Sequence, residues 1–338
     1  MKRIAINGFG RIGRIVFRIL NDENYDLDVV AINDLTDAKQ LAYLLKYDSA
    51  HRNYKLNDIS YEDDYLIVGD KKIKVLSEAD PSNLPWKELD IDVVLECTGF
   101  FTEKEKAMQH IKAGAKKVLI SAPAKGDLKT VVYNVNDDIL DGSEEVVSSA
   151  SCTTNCLAPV LKVMDENFGI KKGYMTTVHA ITNDQSTLDI AHKKGINSRR
   201  GRAAGYNIVP TSTGAASAIG LVLPQLAGKL DGIALRVPVV TGSIVDLVLE
   251  LNEETSVEEI NMVLKNSANE TLNYTEDPIV SSDVIGRSCG SLIDALSTSI
   301  VKDEYGKQLV KILAWYDNEA GYSYQMVRTL KKLSEFIN

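Results

Sequence analysis

Cysteine, tryptophan and histidine are scarce in this chain: 338 residues hold four, two and four of them respectively. Four cysteines over that length do not make a disulfide framework, and the C-x3-C spacing of Cys152 and Cys156 does not match the paired C-x2-C spacing of structural zinc sites, so no metal centre is expected. No run of 18 apolar residues is present to span a bilayer. Positive charge is also in deficit, with 38 Lys and Arg against 47 Asp and Glu for a net charge of −9. Binding to a phosphate backbone or an anionic membrane depends on clustered Lys and Arg, so neither nucleic acid nor membrane is expected as a dedicated partner. One basic cluster remains, Arg199-Arg200-Gly201-Arg202. Met1-Lys2-Arg3 runs straight into a strand pattern without a signal-type apolar region, which points to a reducing cytosol. A hydrophobic share of 44% and a charged share of 25% are ordinary for a soluble globular protein, and the length suits two domains.

What is present begins at the N-terminus. Lys2 to Asn7 read as a short apolar strand followed at once by Gly8-Phe9-Gly10-Arg11-Ile12-Gly13, and Ile12, Ile15, Val16, Ile19 and Leu20 then mark one face of a helix. A second strand, Leu27 to Asn33, ends at Asp34. Strand, glycine turn, helix and a later acidic residue together meet the context of a dinucleotide-binding βαβ unit. Gly8 permits the tight turn, Gly10 lets the backbone approach a pyrophosphate, and Gly13 allows close helix packing. Asp34 accepts hydrogen bonds from ribose hydroxyls and repels a 2′-phosphate. The blander alternative is that the glycines only turn the chain. Further on, Asp92 to Cys97 reads as a buried parallel strand, and Thr102-Glu103-Lys104-Glu105 as a capping box. Lys117 to Ser121 is another strand, with Ser121 at the ligand-collecting end of the sheet as either a cofactor neighbour or an ordinary turn residue before Pro123.

Cys152 carries the main chemical signal. Ser148-Ser149-Ala150 end a strand-like run, and Leu157, Val160, Leu161 and Met164 follow at helical spacing, which puts Cys152 at a helix N-terminus where a thiol pKa is expected to fall. Ser151 and Thr153 flank it with hydroxyls. Cys97, Cys156 and Cys289 have no such setting and read as small core residues. Past Cys152 the texture shifts to strands at Gly173–Ala180, 233–240, Ser243–Leu251, Ser291–Ser297 and Gln308–Tyr316. One helix, opened by Ser256-Val257-Glu258-Glu259, lies among them, which suggests a mixed or antiparallel α+β domain. Met326, Leu330, Leu333 and Ile337 mark a final amphipathic helix that returns to the first domain. The expected organisation is α/β and α+β: a Rossmann-type domain at 1–151 with the C-terminal helix 318–338, and a catalytic domain at 152–317. Cysteine chemistry needs a base near neutrality, and His179, at a strand end before the polar Thr182-Asn183-Asp184-Gln185, is the best candidate, although a lone histidine is more often a structural residue.

The stretches Asn7-Gly8-Phe9-Gly10-Arg11-Ile12-Gly13-Arg14, Ser149-Ala150-Ser151-Cys152-Thr153-Thr154-Asn155-Cys156-Leu157-Ala158-Pro159, Pro210-Thr211-Ser212-Thr213-Gly214 and Trp315-Tyr316-Asp317-Asn318-Glu319 together resemble phosphorylating glyceraldehyde-3-phosphate dehydrogenases. The resemblance implies NAD as cofactor, glyceraldehyde 3-phosphate and inorganic phosphate as substrates, and a homotetramer. It makes Cys152 the nucleophile that forms a thiohemiacetal and then a thioester, and His179 its base. Thr182 and Arg236 would hold the substrate phosphate; Ser151, Thr153, Thr213 and Gly214, with Arg202 in its Arg-Ala-Ala context, would surround the attacking phosphate. Without the resemblance, Arg236 reads as a partner for an acidic side chain. Arg11, Ile12, Asp34, Ser121 and Asn318 match cofactor contacts, and the segment from about Asn183 to Gly205 matches a long loop at a subunit interface. Departures from the common pattern are Ala79, Ile190-Ala191, Ala320 and a loop over Lys193–Ser198 that looks longer than usual. An erythrose-4-phosphate dehydrogenase, which uses water as final acceptor, is the rival of the same class. A non-catalytic dinucleotide- or RNA-binding regulator is the rival of another.

Overall fold

The computed structural model describes residues 1–192 and 195–337, so Lys193 and Lys194 of the loop expected to run long, and Asn338 at the chain end, lie outside the described residues. The chain divides into two compact units, Met1–Ser151 with Ser323–Asn338, and Cys152–Tyr322.

The first unit runs β1 (Lys2–Asn7), α1 (Arg11–Asp22), β2 (Leu27–Asn33), α2 (Ala38–Lys46), β3 (Ile59–Glu62), β4 (Tyr65–Val68), β5 (Lys71–Leu76), β6 (Val93–Glu96), α3 (Lys104–Lys112), β7 (Lys117–Ile120), β8 (Lys129–Thr130) and β9 (Val146–Ser148). These strands form one nine-stranded sheet in the order β3-β4-β5-β2-β1-β6-β7-β9-β8. Its centre is parallel, β1 pairing with β2 and β6. A parallel strand covered on both faces must be apolar along its whole length, and Val93 to Leu95 and Val118 to Ile120 are fully buried. The hairpin strands β3 and β4 carry no strong alternation in the sequence and extend the sheet antiparallel to β5.

At the carboxyl ends of the central strands a polar network replaces the apolar core. Asn33 Nδ2 donates to Asn7 Oδ1 at 2.7 Å, and Asn7 Nδ2 donates to Glu96 Oε2 at 2.6 Å. Trp86 Nε1 donates to His110 Nδ1 at 2.9 Å, which leaves the His110 Nε2 proton for Glu96 Oε2 at 3.1 Å. Glu96 and His110 side chains are fully buried, and such charge is tolerated inside only when its acceptors are filled. The network therefore fixes three strand ends and α3 around the glycine turn. The capping box expected at Thr102 does not form: α3 starts one residue later without a side-chain cap at Glu103, because the Thr102 carbonyl is drawn to Lys125 N at 2.9 Å.

The second unit runs α4 (Cys152–Phe168), β10 (Ile170–His179), β11 (Val209–Ser212), α5 (Ala215–Val222), β12 (Leu230–Arg236), β13 (Ser243–Leu251), α6 (Val257–Asn266), β14 (Leu272–Thr275), β15 (Ser291–Lys302) and β16 (Gln308–Tyr316). Its seven strands form a mixed sheet ordered β11-β12-β10-β13-β16-β15-β14. Strands β13 and β16 alternate buried and half-buried residues, the period expected of a sheet with one face packed. Ser256 caps α6 as expected, its Oγ accepting from Glu259 N at 3.1 Å. Helix α5 escaped the sequence reading because Ala215-Ala216-Ser217-Ala218 gives no clear 3.6-residue period. A last helix, α7 (Ala320–Ser334), buries Met326, Leu330 and Leu333 completely, and the first unit resumes at Ser323 within it. Residues 318–322 thus group with the second unit instead of the first. Asn318 accepts from Ser243 Oγ at 2.8 Å, and Gly321 sits so close to Cys289 that a Cβ would come 2.5 Å from its carbonyl oxygen.

The two later glycines of the turn separate fold from ligand contact. A Cβ on Gly13 would lie 2.2 Å from the Gly8 carbonyl oxygen, whereas one on Gly10 would meet nothing within 4 Å. Gly13→Ala is expected to lower stability by about 1–3 kcal/mol, and Gly10→Ala to leave the melting temperature in place while weakening dinucleotide binding. Calorimetry on both variants checks this; a Gly10→Ala protein that binds as tightly as the parent contradicts it.

Candidate active site

In the first unit the glycine turn carries the candidate dinucleotide contacts. Gly8 holds a φ of +93°, and a Cβ there would come 2.8 Å from Thr98 N, so no larger residue fits. Gly10 is the N-cap of α1, with no side chain capping that helix and no acidic residue in its first turn. The first-turn N–H groups and positive end of the helix, beside the open space at Gly10, suit a pyrophosphate. Asp34 follows β2; its Oδ2 accepts from Phe9 N at 2.8 Å and its Oδ1 from Thr36 N at 3.0 Å. The carboxylate is thereby locked against the turn. Arg11 pairs with Asp48, whose carboxyl falls to about 2 because burial is outweighed by Arg11 and by the N–H groups of His51 and Ala50. Gly8, Gly10, Arg11, Ile12, Gly13 and Asp34 thus share one turn. Ser121 follows β7 on the same sheet and hydrogen-bonds the Cys97 thiol, whose pKa burial pushes up to about 12.

Cys152 is the first residue of α4. The chain reaches it through Ala150 at φ +59°, a left-handed conformation that turns the strand sharply into the helix. His179 is the last residue of β10, and β12 brings Arg236 to the same level through the parallel pair His179 and Arg236. Cys152 Sγ lies 3.4 Å from His179 Nε2. On the other edge of the imidazole, Nδ1 is 2.7 Å from the Ala180 carbonyl oxygen and 2.6 Å from Arg236 Nη1, which also reaches that carbonyl at 3.0 Å. Beneath the ring, Tyr316 packs edge-on with centroids 5.9 Å apart, and its hydroxyl bonds Thr177 Oγ1 at 2.7 Å and Thr153 Oγ1 at 2.9 Å.

Burial bears on the protonation of this pair. His179 is only 3% exposed; desolvation, reinforced by the Arg236 charge, lowers its pKa to about 4. The Cys152 thiol is raised by desolvation in spite of the pull of Arg236 and of hydrogen bonds from Thr153. Loss of solvent thus works against the fall in thiol pKa expected from the helix N-terminus, while Arg236 and the N–H groups at that helix end work with it. Sγ and Nε2 are in contact, so the thiol proton has His179 as its acceptor when the thiolate forms. The Thr153 hydroxyl is buried against Tyr316 and also bonds the Cys152 sulfur.

The anion-site residues separate. Thr182 Oγ1 donates to Asp184, and Asp184 pairs with Arg200. Arg200 Nε donates to Thr211 Oγ1 at 2.9 Å, and the Arg200 charge acts on both His179 and Arg236. Arg202 is not brought to this group: its Nε pairs with Asp189 at 3.0 Å, both side chains more than half exposed. Arg200, inside the short turn Arg199–Gly201, and Arg202, just past it, diverge in direction, which a sequence motif does not record. Thr213 and Gly214 precede α5, with Thr213 Oγ1 accepting from Ala215 N at 3.2 Å. Ser151 immediately precedes Cys152. Asn318 is 4% exposed, and its Oδ1 takes the hydroxyls of Ser243 and Thr241, so its amide NH2 is the end that donates. The sequence reading missed Arg200, Tyr316 and Thr177. Tyr316 had one available signal, its place as the last inward residue of an alternating strand.

Comparison with known proteins agrees with this chemistry. Residues 2–104 match the description "Glyceraldehyde 3-phosphate dehydrogenase, NAD binding domain", and residues 151–318 match "Glyceraldehyde 3-phosphate dehydrogenase, C-terminal domain". The chain belongs to the glyceraldehyde-3-phosphate dehydrogenase family. It is 61% identical over 330 residues to the glyceraldehyde-3-phosphate dehydrogenase of Clostridium acetobutylicum, covering 98% of each chain. Identity is 60% over 331 residues to that of Clostridium pasteurianum, again with 98% of each chain covered. It is 54% over 331 residues to that of Streptococcus pyogenes, with 97% of each covered. The first unit carries the NAD-binding domain of this family of oxidoreductases, and the fold is its α/β and α+β pair.

The depressed His179 pKa fixes a sign for stability. The unfolded chain binds a proton at this residue near pH 6.5, whereas the folded site refuses it until about 4. Stability therefore falls as pH drops through that window, by an amount on the order of 3 kcal/mol for the full shift. Urea midpoints between pH 4.5 and 7.5 are expected to decline more steeply in the parent than in His179→Asn; equal slopes contradict the assignment.

Proposed function

We propose that this protein is a glycolytic, phosphorylating dehydrogenase that oxidises D-glyceraldehyde 3-phosphate to 1,3-bisphosphoglycerate with NAD and inorganic phosphate. The observation that carries the reading is the Cys152 Sγ to His179 Nε2 contact of 3.4 Å, with Arg236 on the far edge of the imidazole. Cys152 adds to the aldehyde carbon, and the thiol proton passes by way of His179 Nε2 to the hemiacetal oxygen. His179 then takes the hydroxyl proton as the carbonyl re-forms in a thioester on Cys152. When bound, NAD supplies the hydride acceptor for that oxidation. Gly8, Gly10, Arg11, Ile12, Gly13, Asp34 and Ser121 hold the dinucleotide, and the Asn318 amide bonds its nicotinamide carboxamide.

For the phosphates, Thr182 and Arg236 take the group carried by the substrate. Ser151, Thr213, Gly214 and Arg200 surround the one that attacks the thioester, with Arg200 in the place assigned to Arg202. Thr153 acts from below through its bonds to the sulfur and Tyr316. A homotetramer accounts for the apolar side chains exposed on the long loop and just past it, Leu188, Ile190, Tyr206 and Ile208; the mass in solution is the check. No described helix is long and apolar enough to cross a membrane, and the reading places the protein in the cytoplasm.

Steady-state NADH formation from glyceraldehyde 3-phosphate is expected to require inorganic phosphate and to stop in Cys152→Ala. A rate indifferent to phosphate returns the assignment to the erythrose-4-phosphate type, and activity surviving in Cys152→Ala removes the enzyme reading altogether. For cofactor choice, the Asp34 carboxylate opposes a 2′-phosphate by like charge, while Ala79 and Ala191 are exposed and offer no charge of either sign. NAD is expected to be preferred over NADP by at least about tenfold in kcat/KM, equivalent to roughly 1.4 kcal/mol. Asp34→Ala is expected to narrow the gap; equal use of both cofactors by the parent contradicts the ranking.

A further inference from the structure

Ser243 sits where the ends of three strands meet. It is the first residue of β13, the strand that pairs with β10 on one side and with β16 on the other. Gly242 turns the chain into it at φ +90°, so close to Ser281 that a Cβ would come 2.2 Å from its carbonyl oxygen. Ser243 is buried, and its hydroxyl meets two groups. Ala180 N, just past the end of β10, donates to Oγ at 3.0 Å. Asn318 Oδ1, two residues beyond the end of β16, lies 2.8 Å from the same Oγ.

The direction of this chain of bonds is settled at its start. A backbone N–H can only donate, so Ala180 occupies a lone pair of Oγ and the single hydroxyl proton is left for Asn318. An asparagine amide has an acceptor at one end and two donors at the other, and turning it over exchanges them. A hydroxyl that has to donate is matched by the oxygen and opposed by the NH2, which fixes the amide with Oδ1 toward Ser243. Thr241 Oγ1 is 3.3 Å from that oxygen, but its one proton is shared with Asp317 Oδ1 at 2.8 Å, so Ser243 supplies the main bond. The main chain beside Asn318 is held separately. Asp317 Oδ1 accepts from Glu319 N at 2.9 Å and Ala320 N at 3.0 Å, and its Oδ2 from Gly286 N at 2.8 Å. That leaves the side-chain torsions of Asn318 to be set, and the serine sets the last of them.

We propose that Ser243 is a positioning residue for the cofactor: by relaying the Ala180 N–H to Asn318 Oδ1 it makes Asn318 a hydrogen-bond donor only toward the nicotinamide ring. The site then selects a ring substituent by its carbonyl oxygen, whether or not that substituent carries an NH2. This rests on the reading of Asn318 as the nicotinamide ligand. Because the relay begins on the peptide that follows His179, the ring substituent is placed by reference to the strand end that carries the base.

The test measures binding by calorimetry, with no aldehyde present. The ligands are NAD, ADP-ribose, which lacks the ring, and the 3-acetylpyridine analogue of NAD, which keeps the carbonyl and has a methyl group in place of NH2. The parent is expected to bind NAD and the acetylpyridine analogue with the same margin over ADP-ribose, to within about threefold. Ser243→Ala is expected to narrow the NAD margin by about three- to tenfold, the usual worth of one hydrogen bond, with the affinity for ADP-ribose unchanged. A merely structural serine predicts that all three ligands weaken together. An acetylpyridine analogue that the parent binds no better than ADP-ribose overturns the donor assignment and needs no variant to fold. Asn318→Ala separates the relay from the reading beneath it. A margin lost in Asn318→Ala but kept in Ser243→Ala overturns the relay alone, whereas a margin kept in both removes Asn318 from the nicotinamide.

Discussion

The contact between the half-buried Cys152 and the buried His179 is the constraint on which the rest of the site depends. Desolvation drives both groups toward their uncharged forms, the thiol up and the imidazole down. The chemistry of the pair therefore runs through proton transfer between two atoms held in contact. Holding them takes three elements of one sheet and one helix: α4 presents the sulfur, β10 ends on the imidazole, β12 delivers the arginine, and β16 closes the floor with Tyr316. The hydroxyl string Thr153, Tyr316, Thr177 is buried, so each member needs the next, and the backbone positions of α4, β10 and β16 are tied together through it.

The first unit solves a different problem by similar means. A pyrophosphate site needs bare backbone, which glycine provides, but bare backbone is loose. The rigidity comes from below, where Asn7, Asn33, Glu96, His110 and Trp86 join the ends of β1, β2 and β6 to α3. Removing one partner would leave a buried acceptor unfilled, which costs more than the bond itself contributes. Asp34 is pinned to the same turn by Phe9 N–H, so the group that reads the ribose and the loop that holds the phosphates are positioned as one piece.

Much of this was legible in the sequence because it is local. The glycine turn, the helix start at Cys152 and the alternation in β13 and β16 are patterns of adjacent residues. What escaped reading depends on the third dimension. The desolvation that pushes the Cys152 thiol up, against the helix end, follows from packing, which no motif states. Arg200 and Arg202 are two residues apart with the same charge, and only the path of the Arg199–Gly201 turn sends one to Asp184 and the other to Asp189 on the surface. Thr153 flanks the cysteine, and on a helix its side chain points down to Tyr316. Helix α5 was hidden by small apolar residues that mark no face.

The central claim is that Cys152 is the atom on which the substrate is oxidised. Incubating the enzyme with NAD and glyceraldehyde 3-phosphate without inorganic phosphate, quenching in acid and mapping peptides by mass spectrometry tests it directly. The account predicts a phosphoglyceryl thioester on the peptide containing Cys152, lost on addition of phosphate before the quench. An acyl group on Cys156 or elsewhere, or NADH formed with no covalent adduct on Cys152, would contradict it.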